Sequence, residues 1–120
     1  MNPSASLNND LQEMLPLSAA TFFVLFALAD GEKHGYLIMQ EVKVLSDSKV
    51  QMGPATLYTT IQKLAEQSFI EEVENDSQDR RRNYRLTRTG KQLLDAEFSR
   101  QNQVLRLAKA KRVFPLRGKV

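Results

Sequence analysis

The sequence predicts one α+β domain, mainly α, in which three helices are followed by a two-stranded hairpin and a long final helix. Apolar residues recur at helical spacing in two segments between residues 35 and 67. Two short strand-like stretches, FIEEVE and NYRLT, flank the polar, turn-prone segment NDSQDRRR. At 120 residues, the chain is long enough to bury a core of its own.

The first predicted helix follows a polar N-terminal segment, residues 1–14, that we expect to be flexible. In LPLSAATFFVLFALADG, Ser18 can cap the helix start, and Leu17 and Phe22 are spaced to form a hydrophobic staple. Gly31 can adopt the left-handed conformation at the helix end. Because the helix is apolar on nearly all sides, we expect it at the centre of the molecule or in a subunit interface, and we assign Phe22 to that interface.

Two further helices each carry one apolar stripe, in HGYLIMQEVKVLS and in MGPATLYTTIQKLAEQSF. The stripe residues are Ile38, Val42, Leu45, Leu57, Ile61 and Leu64. Pro54 after Gly53 suits the first position of the second of these helices, because its missing N–H is not needed there. The DSKVQ segment between the helices is expected to turn, with a single short strand around Val50.

The hairpin and the long helix complete the order of elements. Val73 on the first strand, and Tyr84 with Leu86 on the second, are expected to face inward. Thr87 can cap the last helix, RTGKQLLDAEFSRQNQVLRLAKAKRVF, which we expect Pro115 to end.

A helix-turn-helix followed directly by a hairpin is the winged helix-turn-helix pattern, in which the third helix enters the DNA major groove and the hairpin, or wing, reaches the flanking backbone. Opposite its apolar stripe, the third helix carries small residues, hydroxyls, an amide and one lysine, which can approach base edges. A phenol on the flank can reach a phosphate. The DNA-facing residues would be Ala55, Thr56, Tyr58, Thr59, Gln62 and Lys63. The alternative is that this side of the helix is an ordinary solvent-exposed face. Glu66, which also lies on it, reduces its positive charge.

Charge is divided unevenly along the chain. The formal net charge is +3, yet residues 1–76 hold 4 Lys or Arg against 11 Asp or Glu, whereas residues 77–120 hold 13 against 3. Such a basic region suggests a polyanion as partner, although segregation of charge without a partner is the alternative. At the hairpin tip, Arg80, Arg81 and Arg82 can meet phosphates or enter the minor groove, rather than form a solvated loop.

Other classes of function find little support. The chain has no cysteine, which excludes disulfides and thiolate metal sites, and its one histidine, His34, has no spaced set of metal or catalytic partners. We therefore predict no cofactor, no metal site and no catalytic residue, and expect His34 to cap or pack at the start of its helix. The longest apolar run, residues 22–29, is too short to span a bilayer, so we expect a cytoplasmic, nucleoid-associated protein without membrane contact.

Three stretches resemble the PadR-type transcriptional regulators: LADGEKHGYLIMQEV, GPATLYTTIQKLAEQSFIEEVE and RRRNYRLTRTGKQLL. The resemblance implies a winged-helix homodimer that binds double-stranded operator DNA, usually as a repressor. It places the recognition helix at residues 54–67 and the wing tip at residues 76–82, and it adds His34 and Tyr36 of the HGY motif to the DNA-binding set. Some drug-sensing members use tryptophans in a ligand pore, and this chain has none, so the resemblance leaves a small-molecule effector undefined.

The last helix is expected to form the dimer, because apolar residues recur on it at roughly coiled-coil spacing; packing on the protein's own core is the alternative. The interface residues on this helix would be Leu94, Phe98, Leu105 and Ala108. The chain then divides into the flexible segment 1–14, a DNA-binding domain 15–90, a dimerisation helix 91–114 and a basic tail 115–120. The rival function is a winged-helix protein-interaction module without specific DNA binding.

Overall fold

The structure, a computed structural model, describes residues 9–74 and 81–116. Residues 9–13 are helical and are called α1. The elements that follow are α2 (Ala19–Ala27), β1 (Lys33–His34), α3 (Gly35–Leu45), α4 (Pro54–Glu66), β2 (Ile70–Val73), β3 (Asn83–Leu86) and α5 (Arg88–Ala110). The predicted mainly helical winged helix-turn-helix order is therefore confirmed. The chain divides into two compact units, Leu17–Leu94 and a second formed by Met1–Pro16 with Asp95–Val120.

Side-chain caps and a proline mark the helix starts that the sequence predicted. Ser18 Oγ accepts a hydrogen bond from the Thr21 N–H at 3.2 Å, which satisfies one donor at the start of α2. Pro54 is the first residue of α4. Thr87 Oγ1 accepts from the Gly90 N–H at 3.0 Å and so caps α5. All three predicted starts are confirmed.

The core of the Leu17–Leu94 unit lies where α2, α3 and α4 pack on one another and where β2 meets α4. Its buried side chains include Phe22, Val24, Leu25, Ile38, Val42, Leu57, Ile61, Leu64, Ile70, Tyr84 and Leu86. The two predicted stripes are among them, apart from Leu45, which is half-buried at the end of α3. Truncating one such large aliphatic side chain to alanine costs about 2–5 kcal/mol of stability, so these residues hold the three helices in place.

The turn between α2 and β1 is held by a lysine with a buried side chain. Gly31, which was expected at the end of the first helix, has a φ of 144°, a value that L side chains rarely adopt. The helix α2 ends earlier, at Ala27, so Gly31 lies in the turn that follows it. Lys33 is 8% exposed, donates a hydrogen bond to the Asp30 carboxylate and lies 4.0 Å from Glu41. This hydrogen bond, together with the charge of Lys33, holds the pKa of the Asp30 carboxyl below its usual value. These contacts fix the chain as it enters β1.

The sheet has three strands in the order β1-β3-β2, rather than the predicted two. In β1, Lys33 pairs with Tyr84 of β3, and the neighbouring His34 pairs with Asn83. The prediction of a short strand around Val50 is wrong, because Val50 lies in no strand.

A serine explains the conformation at Val50. Ser46 Oγ accepts from the Val50 N–H at 3.0 Å and donates to the Val50 C=O at 3.1 Å. Both backbone groups of Val50 are therefore bound to a side chain of the preceding turn, where a strand would have offered them to a neighbouring strand.

The register of the hairpin corrects the predicted inward face. Ile70 lies opposite Leu86, and Glu72 lies opposite Tyr84. Directly paired residues share a face of the sheet, so Ile70 accompanies Tyr84 and Leu86 inward. Val73 lies on the other face and is only half-buried. The prediction for Val73 was wrong because the sequence IEEV does not alternate cleanly between apolar and polar residues.

Helix α5 ends at Ala110, before the expected stop at Pro115. Beyond the helix, the Val113 N–H donates to the Ala108 C=O at 3.0 Å, and Arg112 has a φ of 63°. This left-handed turn is a common way to end a helix, so the helix stops without needing the proline. Within the part of the chain that the structure describes, no helix is long and apolar enough to cross a membrane.

Candidate nucleic-acid interface

The side of α4 opposite its buried stripe is exposed to solvent. The 3.6-residue period that buries Leu57, Ile61 and Leu64 leaves the other side of the helix open. All six residues predicted to face DNA are exposed: Ala55, Thr56, Tyr58, Thr59, Gln62 and Lys63. We call this set the α4 face.

Hydrogen bonds within the α4 face determine what it can offer to a partner. Thr59 Oγ1 donates to the Ala55 C=O at 2.9 Å, which leaves the hydroxyl lone pairs and the methyl group facing outward. Gln62 Nε2 donates to Glu66 Oε1 at 3.3 Å, which leaves the Gln62 carbonyl oxygen as an acceptor. Lys63 can only donate. The face therefore presents acceptors at Thr59 and Gln62 beside one strong donor at Lys63.

An open cavity of about 500 Å³ lies where the start of α3, the helix α4 and the wing meet. It is lined by His34, Gly35, Tyr36, Tyr58, Arg81 and Arg82. The strand β1 creates this meeting point, because its pairing with β3 puts His34 opposite Asn83, the residue that follows Arg82. The HGY motif, Tyr58 and two of the three predicted wing arginines, Arg81 and Arg82, therefore lie around one cavity.

His34 has two roles at this cavity. It is the N-cap of α3, with Nδ1 accepting from the Leu37 N–H at 3.4 Å, which confirms the expectation that it caps its helix. Its other ring nitrogen, Nε2, lies 3.3 Å from Nη1 of Arg81. The ring also lies nearly parallel to that of Tyr36, at a centroid distance of 6.5 Å and an interplanar angle of 9°.

Gly35 belongs to the site, although the predicted set of site residues did not include it. It is the first residue of α3, and a Cβ atom placed on it would lie 2.5 Å from Tyr58 Oη. Only glycine lets the phenol approach the start of α3 this closely. The sequence signal was its position in the HGY motif, but its partner lies on another helix, 23 residues away.

Among the described residues of the wing, two exposed ion pairs lie one on each face of the hairpin. Arg82 Nε lies 3.6 Å from Glu72 Oε1, and Arg85 Nε lies 2.8 Å from Glu71 Oε1. Exposed pairs of this kind contribute about 0–1 kcal/mol, so a phosphate can compete for either arginine. Arg80, the remaining wing arginine, lies outside the described residues.

Tyr84 connects the wing to the core. Burial raises the pKa of the Tyr84 hydroxyl, and the negative charge of Glu72 acts in the same direction. A hydrogen bond with Arg82 opposes the shift. The neutral phenol is therefore the form that the fold favours.

The residues predicted for a dimer interface differ in how far the chain itself buries them. In the Leu17–Leu94 unit, Phe22 and Leu94 are buried by the chain itself. In the other unit, Phe98 and Ala108 are half-buried, and Leu105 is 44% exposed. Further large apolar side chains exposed in this second unit are Val104, Leu107, Val113, Phe114 and Leu116. The exposed apolar surface is thus concentrated toward the end of α5 and just after it.

One basic residue in the second half of α5, Arg100, has its charge paired within the chain. Arg100 makes two hydrogen bonds to the buried carboxylate of Glu97, at 2.7 and 3.0 Å, so its charge is engaged within the chain. Across residues 9–74 and 81–116, no three His, Asp or Glu side chains cluster in a way that could hold a metal ion.

A model of the PadR-like family of transcriptional regulators matches residues 24–96. Among solved structures, a PadR family transcription regulator from Clostridium difficile R20291 is similar, with a TM-score of 0.65 and 18% identity over 78% of this chain and 97% of that one. The Bacillus subtilis PadR structure in complex with operator DNA has a TM-score of 0.59 and 25% identity over 68% of this chain and 46% of that one.

Two curated proteins are also similar. One is an uncharacterized 37.1 kDa protein in transposon TN4556 of Streptomyces fradiae, 35% identical over 78 residues, which are 65% of this chain and 21% of that protein. The other is uncharacterized protein X of Lysinibacillus sphaericus, 33% identical over 73 residues, which are 59% of this chain and 67% of that protein. The chain thus spans about a fifth of the transposon protein.

Proposed function

This chain belongs to the PadR-like family of transcriptional regulators, and on that basis we propose that it is a homodimeric repressor that binds operator DNA. The observation that carries the proposal is the position of the exposed α4 face beside a cavity lined by Arg81 and Arg82. A base-reading surface and phosphate-binding groups are then next to each other, as a winged helix on DNA requires. The operator DNA in the Bacillus subtilis PadR structure supports the proposal.

In this proposal α4 lies in the major groove and reads bases through its outward side chains. The acceptors at Thr59 and Gln62 match the amino groups of adenine N6 or cytosine N4, and the Thr59 methyl group matches a thymine methyl. Lys63 supplies the donor for guanine O6 or N7. Ala55 and Thr56, near the helix start, are small enough for a close approach to the bases.

The wing arginines bind the sugar-phosphate backbone or the adjacent minor groove. Arg81 and Arg82 lie at the cavity, and Arg80 precedes them in sequence. Arg82 exchanges its weak exposed pair with Glu72 for a phosphate when DNA binds. Because α4 itself carries one lysine and one glutamate on this side, the wing supplies much of the charge that attracts DNA.

The homodimer forms through α5, with Phe98, Leu105 and Ala108 facing the two-fold axis. Leu105 and the apolar residues exposed near it are unfavourable in water, and a second copy would cover them. Phe22 and Leu94 are buried within the chain itself, so they would contribute little area to this interface. Two α4 helices related by a two-fold axis then read two half-sites.

Selection of binding sites from a random duplex library tests the proposal. We expect the enriched sequence to be an inverted repeat, with half-site centres about 10 base pairs apart or a multiple of one helical turn. Transcription in vitro from a promoter that contains this sequence should fall when the protein is added. A library that shows no enrichment would refute sequence-specific binding, and a single asymmetric site would refute the homodimer.

A further inference from the structure

Another open cavity, of about 360 Å³, lies where the turn after α2 meets β3 and the start of α5. We propose that it binds a small zwitterion, and that the class of ligand is a free α-amino acid with an apolar side chain. We call it the zwitterion site. It goes beyond the proposed DNA binding, because its described lining includes none of the residues predicted to contact DNA. The lining residues are Leu28, Ala29, Asp30, Gly31, Glu32, Arg85, Leu86 and Lys91, all within the Leu17–Leu94 unit.

Charged side chains of both signs line the zwitterion site, and they come from different segments. Asp30 and Glu32 belong to the turn that follows α2. Arg85 belongs to β3, and Lys91 to the start of α5. A ligand that carries one positive and one negative group can therefore meet opposite charges from separate parts of the fold.

One charge of each sign is already balanced within the chain. Asp30 accepts a hydrogen bond from Lys33, whose side chain is buried. Arg85 Nε lies 2.8 Å from Glu71 Oε1, its directly paired residue on β2. These two contacts hold Asp30 and Arg85 in place and leave little of their charge for a ligand.

The other two charged groups of the lining, Glu32 and Lys91, are available to a ligand. Within residues 9–74 and 81–116, neither side chain forms an ion pair or a hydrogen bond, and the two do not pair with each other. A simple anion would meet the unpaired Glu32 carboxylate, and a simple cation would meet the Lys91 ammonium. A zwitterion avoids both repulsions, because its amine can bind Glu32 while its carboxylate binds Lys91.

The size and the inner wall of the cavity limit what the rest of the ligand can be. A volume of about 360 Å³ is near the lower end of the range for small-molecule sites, about 300–1,000 Å³. Leu28 and Leu86 are 2% and 6% exposed, so the inner wall is apolar and well packed. Gly31 adds no side chain to the lining, and a Cβ atom placed on it would have nothing within 4 Å. A small aliphatic amino acid such as leucine matches this combination of charge, size and apolar wall.

Titration of the full chain with L-leucine, followed by amide NMR, tests the zwitterion site. We expect the amide signals of Gly31, Glu32 and Arg85 to shift along one saturating curve. Two analogues each lack one charged group: 4-methylpentanoate has no amine, and 3-methylbutylamine has no carboxylate. Each should bind about fivefold more weakly than leucine, the equivalent of one lost exposed ion pair.

Two variants assign each charged group of the ligand to its partner. Glu32→Gln should bind leucine about fivefold more weakly and should no longer prefer it to 4-methylpentanoate. Lys91→Gln should lose affinity to the same extent and should no longer prefer leucine to 3-methylbutylamine. Both positions are exposed, so folding should change little. The matched controls Glu74→Gln and Lys49→Gln, at exposed positions outside the lining, should bind all three compounds as the wild-type protein does.

Several results would overturn the proposal. They are the absence of any shift at the cavity amides with L-leucine, equal binding of leucine and both analogues, and unchanged leucine binding in both Glu32→Gln and Lys91→Gln. N-acetyl-L-leucine amide, which carries neither charge and resembles a residue within a protein chain, should bind more weakly than leucine. Equal or tighter binding of this compound would assign the cavity to a segment of a protein partner instead. All these titrations are made without DNA, so their failure would leave the proposed DNA binding unaffected.

Discussion

Replacing Gly35 by alanine places a methyl group where Tyr58 now lies. The new Cβ atom would be 2.5 Å from Oη, 2.9 Å from Cζ and 3.3 Å from Cε1 of that tyrosine, and ordinary contact begins near 3.4 Å. The hydroxyl must therefore retreat by about 0.9 Å, or the ring must swing away, which the exposed end of a tyrosine can do. Alanine is also the better helix former, by roughly 0.5–1 kcal/mol, so we expect stability to change by less than about 1 kcal/mol.

DNA binding should respond far more than stability does. A hydrogen bond to a charged group contributes about 1.5–3 kcal/mol, so displacing the Tyr58 hydroxyl from a phosphate should weaken binding roughly tenfold or more. Because the lost contact is to the backbone, the loss should be the same on operator and on scrambled duplex. Fluorescence anisotropy on both duplexes, with thermal unfolding of each protein, measures these quantities.

Gly53→Ala is the control for a glycine-to-alanine change at a helix start. Nothing lies within 4 Å of a Cβ atom at Gly53, the N-cap of α4, so no side chain is displaced. Alanine is a poorer N-cap than glycine, so stability should fall somewhat, but affinity should stay within about threefold of the wild-type value because no side chain is moved. If Gly35→Ala binds both duplexes as tightly as the wild-type protein, Tyr58 makes no backbone contact and the reasoning is wrong.

Three further predictions concern the wing and α4, the dimer, and pH. Alanine at all three wing arginines should change stability by no more than about 0.5 kcal/mol and weaken binding to any duplex, with the salt slope smaller by roughly one for each lost phosphate contact. Thr59→Ala or Lys63→Ala should instead cost about 1–3 kcal/mol on the operator and much less on scrambled DNA; equal losses on both would exclude base contacts. Leu105→Asp should give monomers in sedimentation and bind the operator more weakly, because a dimer would bury its carboxylate. The control Gln103→Asp, at a solvent-exposed position of the same helix, should remain a dimer. A dimeric Leu105→Asp would show that the interface does not include this position. Because the folded protein raises the pKa of Tyr84 above 10.0, stability should be fully present below that pH and be lost as pH rises beyond it, and Tyr84→Phe should lose less stability over this range in thermal unfolding.

Much of the fold could be predicted from the sequence because its signals are local. A serine, a proline and a threonine mark helix starts through contacts within a few residues, and the stripes of α3 and α4 follow from the helical period. The strand β1 could not be predicted, since two residues carry no alternation and it forms by pairing with β3, about 50 residues later. Ile70 replaced Val73 on the inward face because the hairpin register, rather than the composition of each strand, decides which residues share a face.

In the candidate site, too, the local features could be predicted from the sequence and the contacts between distant residues could not. The exposed α4 residues follow from helical geometry, and the sequence placed them correctly on the surface. The contact between His34 and Arg81 joins residues 47 positions apart, and it needs β1 to exist. Gly35 gains its role only from the packing of α4 against α3, which no local pattern reveals.

The affinity of the wild-type protein for its selected operator and for a scrambled duplex, each at 50 and 200 mM salt, tests most directly whether this protein is a sequence-specific DNA-binding regulator. With about six to ten phosphate contacts, operator affinity should fall by roughly 10³–10⁵ between the two salt concentrations. At either concentration the operator should bind roughly 10³-fold or more tightly than the scrambled duplex. Equal affinity for both duplexes, with little change between the two salt concentrations, would contradict DNA as the partner.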